Sequence, residues 1–289
     1  MKYSPLLHME PPVFMLAIDH RWQWEEWCDA ERVDRARIPE IKSLAVEAFL
    51  AARKQSPDVR RSGALLVDLT YGRAAFDAAR AAGVPTGTPA ERAGAFPLEW
   101  TAPFAQALPG DFAKVLVRHR SDVKPAIVAA QRRQLLQLQA WCAKAGTPLV
   151  LEVLVAPAKG EEEEFDTDGR PTLLAEYIRD AYACGLVPAY WKIEGMPDRK
   201  SLAQIDEAIR EREGPRQLIL GKGAGIDAVR QWFASAAGSP TAAGFAIGRT
   251  VYFDGAAGWV NGTLSREAAV DRIARTYLDV IEMWKKPDH

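Results

Sequence analysis

The sequence predicts a single-domain α/β protein of the eight-stranded parallel (β/α)8 TIM-barrel class. Three observations carry that expectation. Apolar strand-like runs alternate with helical periodicity about eight times along the chain. The 289 residues suit one barrel and hold no internal repeat and no plausible interdomain linker. No early glycine-rich dinucleotide fingerprint marks the switch point of an open doubly wound sheet, the structural competitor. One domain is therefore expected over 1–289, with a barrel core over about 13–286.

The first strand is read at 13–19, ending in Asp19, and a Trp-rich acidic segment follows it. A helix over 39–54 has Pro39 at a tolerated early position. The second strand, 63–68, ends in Asp68 and turns at Tyr71-Gly72 into an Ala-rich helix that stops by Gly83. A third strand is expected at 95–101, carrying Glu99, with a short or missing helix. The rhythm then firms into strands at 112–118, 148–155, 190–195, 217–220 and 244–249. Helices at 126–145, 172–183, 202–212, 227–236 and 266–285 follow them in turn.

Composition narrows the function. Lys plus Arg is 37 and Asp plus Glu 38, a balance that argues against a broad nucleic-acid or membrane surface and permits a local anion site. No stretch is long and apolar enough to span a bilayer. The three cysteines, Cys28, Cys142 and Cys184, form no CxxC pair or disulfide framework and read as small buried hydrophobes. A reduced, cytoplasmic setting is expected. Trp22, Trp24 and Trp27 are expected to cover the barrel mouth or a subunit contact. The acidic run 161–164 reads as a solvated loop or a lid.

Several strands carry a charge late in an apolar run: Asp19, Asp68, Glu99, Lys114, Glu152 and Lys192. Each could be a hydrated strand end. In a parallel barrel, however, the C-terminal strand ends all face one mouth, where these groups would converge. In Tyr190-Trp191-Lys192-Ile193-Glu194-Gly195, Lys192 and Glu194 share one strand face, and Trp191 and Ile193 share the other. With the apolar face against helices, Lys192 points inward.

The four histidines form no HxH or HExxH spacing, and no nucleophile elbow supports a serine site. A magnesium held by Asp19 or Glu152 remains an alternative, as does a barrel that binds a sugar phosphate without turnover. Two interior lysines fit amine catalysis better. An amine nucleophile must be partly neutral, which burial or a second cation such as Lys114 promotes and ionised carboxylates oppose. Glu152 is the candidate general acid and base, and Asp19 a group to hold a substrate hydroxyl. Gly221-Lys222-Gly223 and Gly248-Arg249 end the last two strands, where these barrels recurrently bind phosphate. No metal or other cofactor is expected if the lysine forms the covalent intermediate.

These segments together resemble a known family. The set comprises Ala17-Ile18-Asp19-His20-Arg21, Leu66-Val67-Asp68-Leu69-Thr70-Tyr71-Gly72, Lys114-Val115-Leu116-Val117-Arg118 and Leu151-Glu152-Val153. The most specific parts are Trp191-Lys192-Ile193-Glu194-Gly195 and Gly244-Phe245-Ala246-Ile247-Gly248-Arg249-Thr250. It is similar to the class I aldolase-like domain often fused behind the sugar kinase of inositol catabolism, and more distantly to the tagatose-bisphosphate aldolases. The resemblance runs over about 14–284. It implies a Schiff base on Lys192, assistance from Asp19, Lys114 and Glu152, and phosphate held by Arg249 with loop glycines. The reaction it implies is retro-aldol cleavage of 2-deoxy-5-keto-gluconate 6-phosphate to dihydroxyacetone phosphate and malonate semialdehyde. Asp68, Glu99 and Glu194 are expected among the substrate-binding residues. Leu69-Thr70 and Lys222 depart from the family pattern. A homo-oligomer and a kinase acting in trans are the expected protein partners.

Overall fold

Alternation within the strands builds two apolar layers from one chain. On β1 (Val13–Ala17), Val13, Met15 and Ala17 face one cluster while Phe14 and Leu16 face another. Next come β2 (Gly63–Leu66), β3 (Thr86–Pro89), β4 (Ala113–His119) and β5 (Leu149–Val155). The split recurs on β2 and β5, while β3 adds to neither cluster and β4 adds only Ala113, Val115 and Val117 to the second. The split continues through β6 (Tyr190–Glu194), β7 (Arg216–Leu220) and β8 (Ala242–Ile247). All neighbours are parallel, and β8 pairs back onto β1, which closes a (β/α)8 barrel. The computed structural model describes residues 11–160, 162 and 165–287.

The inner cluster, including Met15, Leu66, Phe112, Val150, Tyr190 and Leu218, plugs the lower part of the barrel. The outer cluster joins strands to helices: Leu151, Trp191, Ile193 and Phe245 pack beneath the surrounding shell. That shell begins with α1 (Trp22–Glu31), α2 (Ile38–Gln55), α3 (Pro57–Ser62) and α4 (Arg73–Ala81). A single turn, α5 (Phe104–Ala107), precedes α6 (Pro125–Ala145), α7 (Arg170–Ala183) and α8 (Arg199–Arg210). It ends with α9 (Ile226–Ala236), α10 (Arg249–Val260) and α11 (Arg266–Lys285). Among the described residues no helix is long and apolar enough to cross a membrane.

Three departures from the sequence expectation bear on the site. The third strand is Thr86–Pro89, and 95–101 is loop apart from one antiparallel bridge between Glu91 and Trp100. Thr-Gly-Thr-Pro reads as a turn, yet the barrel tolerates it because Thr86 Oγ1 donates to Val84 O and Thr88 Oγ1 to Ala107 O. The Trp-rich segment is a helix, α1, whose Trp24 stacks on Phe253 of α10 with ring centroids 4.6 Å apart. Of its tryptophans only Trp22 sits at the mouth, more than a third exposed. Of the acidic run, Glu161, Glu163 and Glu164 lie outside the described residues.

Candidate active site

The strand register places the charged side chains before any long-range contact is considered. Lys192 on β6 is the direct partner of Glu152 on β5, which in turn lies opposite Leu116 on β4. Residues two apart share a face, so Lys114, Glu152 and Lys192 all project inward above the apolar plug. Asp19, two residues past β1, and Glu91, two residues past β3, complete the ring.

Contacts among these groups are direct. Lys192 Nζ is 3.0 Å from Glu152 Oε2, and the same oxygen is 2.8 Å from Lys114 Nζ. Lys114 Nζ also meets Asp19 Oδ2 and Glu91 Oε1, both at 3.0 Å. Glu91 is held in turn by Arg21, whose Nη2 donates to Oε1 at 3.1 Å, and by the Leu116 N–H, which donates to Oε2 at 3.1 Å. Three cations, Lys114, Lys192 and Arg21, thus balance three carboxylates, Asp19, Glu91 and Glu152. All six are buried, and only such a mutually paired set can afford that burial.

The electrostatics follow from this pairing. Burial pushes the Asp19 carboxyl up, but Lys114 and Lys192 together outweigh it and hold it well below the usual carboxylate range. The same contest, burial against Lys114 and Lys192, leaves Glu152 below its ordinary value. For Lys114, burial pulls down while Asp19, Glu152 and Glu91 pull up, and the carboxylates win. Lys114 is accordingly a fixed ammonium, saturated by three acceptors, while among the described residues Lys192 has a single ion-pair partner, Glu152.

Above the ring lies a cavity of about 520 Å³ lined by Asp19, Glu91, Lys114, Glu152 and Lys192 and by both glycine-rich turns. On the β8 side, a Cβ at Gly248 would sit 1.9 Å from Ala17 O, so only glycine lets the chain pass there into α10. Lys222 and Gly223, after β7, both take left-handed backbone conformations, with φ of 49° and 74°. The Arg249 guanidinium lies across Gly223, its Nη2 donating to Lys222 O at 2.8 Å, while its buried Nε has no hydrogen-bond partner among the described residues. The first N–H groups of α10, the glycine turns and an arginine with an unused donor make a candidate anion cradle.

His20 also lines the cavity. Its Nδ1 is 3.1 Å from the Tyr252 hydroxyl, which accepts a hydrogen bond from Trp24 Nε1 at 3.0 Å. Burial pushes its imidazole well below the ordinary value, which keeps the ring neutral at pH 7.

Of the residues expected from sequence, Asp19, Lys114, Glu152, Lys192, Gly221, Lys222, Gly223, Gly248 and Arg249 line this one cavity. Three do not. Asp68 is buried outside the cavity lining, with Oδ2 2.8 Å from Lys42 Nζ and Oδ1 accepting from Tyr71 N at 2.9 Å. Glu99 stands half-exposed in the loop after β3, paired with Arg92 at 2.5 Å, because the strand it was assigned to lies elsewhere. Glu194 is not among the residues that line the cavity and is wedged between Arg170 Nε, at 3.2 Å, and Lys222 Nζ. Its contact also engages the Lys222 amine, so Lys222 reaches the cradle chiefly through its backbone.

Glu91 and Arg21 are the site residues that sequence reasoning missed. The available signal was a lone carboxylate just after Thr-Pro-Ala, visible only once that segment is known to be a strand. Among the described residues, no group of three or more His, Cys, Asp or Glu side chains is arranged to hold a metal ion.

Known structures share the fold. A Schiff-base-forming fructose-1,6-bisphosphate aldolase is 18% identical with a TM-score of 0.59, over 95% of this chain and 94% of its own. An archaeal fructose 1,6-bisphosphate aldolase is 16% identical with a TM-score of 0.61, over 96% and 95%. The fructose-bisphosphate aldolase of Plasmodium falciparum is 11% identical with a TM-score of 0.67, over 97% and 92%. At these identities the likeness establishes the barrel. Comparison with curated protein sequences finds no match. The profile of the family described as "Uncharacterized protein conserved in bacteria (DUF2090)" matches residues 4–288, and the chain belongs to that family.

Proposed function

We propose that this protein is a class I aldolase acting on a phosphorylated keto sugar or sugar acid through a Schiff base on Lys192. One observation carries the reading: a buried lysine amine, paired with Glu152 alone among the described residues, opens onto the cavity that the Gly248–Arg249 turn also lines. The barrels that share this fold include a Schiff-base-forming aldolase, which supports the same chemistry.

The steps follow from the contacts. Glu152 takes a proton from Lys192, and the free amine adds to the substrate ketone. The carbinolamine loses its hydroxyl as water, with the proton returned by Glu152, and leaves a protonated iminium. A carboxylate, with Asp19 best placed, removes the proton of the hydroxyl β to that carbon. The carbon–carbon bond breaks, its electron pair enters the iminium to give an enamine, and the aldehyde departs. Protonation and hydrolysis of the enamine release the ketone product and restore Lys192. Lys114 stays charged throughout and fixes Asp19, Glu91 and Glu152 around the reacting carbon. The phosphate in the β8 cradle holds the ketone at the amine, and orientation of this kind is worth up to about 7–11 kcal/mol.

The resemblance in the Lys192 and Arg249 segments supports 2-deoxy-5-keto-gluconate 6-phosphate as substrate, with a sugar-acid kinase in trans as its supplier. The test is release of dihydroxyacetone phosphate from that compound in EDTA. Release by the wild-type protein and none by Lys192→Ala is expected. Release that EDTA abolishes and Lys192→Ala retains contradicts the reading.

A further inference from the structure

In a closed ring of eight strands, β4 faces β8 across the barrel, and β6 lies two strands from each. Lys192 on β6 therefore sits midway round the rim between the β8 cradle and the end of β4. The inward face of β4 carries Lys114, Leu116 and, nearest the mouth, Arg118.

Arg118 differs from the other arginines on that side. Arg21 is neutralised by Glu91 and Arg92 by Glu99. Among the described residues Arg118 has no ion pair and no side-chain hydrogen bond, although it is half-buried and lines the cavity. A guanidinium in that position has surrendered part of its hydration with no counter-ion among the described residues in return.

The surroundings indicate which anion it takes. The β8 side offers glycine turns and the first N–H groups of a helix, a cradle for a tetrahedral phosphate. The β4 side is poorer in both: residues 119–124 contain no glycine, and α6 opens with Pro125, which has no N–H to give. A bare planar fork matches a planar carboxylate through two parallel hydrogen bonds.

We propose that Arg118 is a carboxylate subsite, so that the ligand of this cavity bears a phosphate at one end and a carboxylate at the other, with its ketone over Lys192. This rests on the function proposed above for the roles of Lys192 and the β8 turn. Strands about 4.8 Å apart and tilted about 36° give a ring roughly 15 Å across between opposite backbones. An arginine reaching in from one side leaves a span that suits a short sugar-acid chain.

Equilibrium binding of three unreactive probes to the wild-type protein and to Arg118→Gln tests this. Gluconate 6-phosphate carries both anions, glucitol 6-phosphate lacks the carboxylate, and glucitol 1,6-bisphosphate replaces it with a second phosphate. The wild type is expected to bind gluconate 6-phosphate on the order of 10- to 100-fold more tightly than glucitol 6-phosphate. Arg118→Gln should erase that preference while moving the glucitol 6-phosphate Kd by no more than roughly twofold, and Arg118→Lys, a charge without the fork, should fall between. The proposal is overturned if the wild type shows no preference for gluconate 6-phosphate or prefers the bisphosphate, or if Arg118→Gln weakens both monophosphates equally. Borohydride trapping with dihydroxyacetone phosphate on the same proteins keeps the two claims apart. No adduct with the expected probe ranking ends the aldolase reading alone; an adduct at Lys192 without the ranking ends the Arg118 assignment alone.

Discussion

Glu152 and Lys192 are direct partners on adjacent strands, and Oε2 of the first lies 3.0 Å from Nζ of the second. The same oxygen is 2.8 Å from Lys114, so one carboxylate serves a fixed cation on one side and the candidate nucleophile on the other. A base that must take a proton from Lys192 and later return it has to be ionised, and the two lysines keep it so.

Glu152→Gln keeps the shape and an acceptor oxygen but cannot carry the proton. Turnover is expected to fall about 10²- to 10⁴-fold, with a much smaller change in KM. Steady-state kinetics check this, and an equal loss in kcat and rise in KM would assign Glu152 to binding instead.

The Lys114 cluster predicts opposite pH slopes of stability in wild type and variant. Asp19 and Glu152 have folded pKa values below their unfolded ones, so the stability they contribute is present above about pH 5 and lost as pH falls. Lys114→Met removes the shared cation from three buried carboxylates and should cost about 3–5 kcal/mol at pH 7. In that variant burial should dominate at Asp19 and Glu152, those two carboxyls should bind protons more readily folded than unfolded, and stability should decline as pH rises from 4 to 7. Thermal midpoints across that range measure it; parallel curves for the two proteins would refute the assignment.

Arg249→Ala removes the side chain that closes the β8 cradle. KM for a phosphorylated substrate is expected to rise on the order of 10- to 100-fold, through loss of a charge-assisted contact. The unphosphorylated ketone should be affected far less. Similar losses for both compounds would show that Arg249 acts through the fold.

Asp68 is expected to matter for stability. Lys42 has no exposure, and donates to Ile18 O and His20 O as well as pairing with Asp68. Removing the carboxylate in Asp68→Ala leaves that ammonium short of a counter-charge and should cost about 3–5 kcal/mol. Denaturant unfolding gives the cost, and activity per folded molecule should hold near the wild-type level.

What could be read without the structure divides along physical lines. Lys114, Glu152 and Lys192 stand out because each interrupts an apolar run whose period of two assigns its face. The β7 and β8 turns were legible from glycines beside a cation. Asp68 looks the same as Asp19 in sequence; what separates them is Lys42, a lysine on α2 whose immersion no local pattern announces. Glu91 escapes notice because Thr86–Pro89 lacks an apolar run, and the strand geometry there depends on pairing with β2 and β4. The helix α10 was hidden by Gly255 and Gly258, residues that oppose a helix until neighbours pack on it.

The central claim is covalent, and reduction tests it most directly. The protein is incubated with dihydroxyacetone phosphate and borohydride, digested and mapped by mass spectrometry. A secondary-amine adduct confined to the Lys192 peptide, and missing from Lys192→Ala, is the predicted result. Wild-type protein left unlabelled, or labelled at Lys114 or Lys42 instead, would contradict the account.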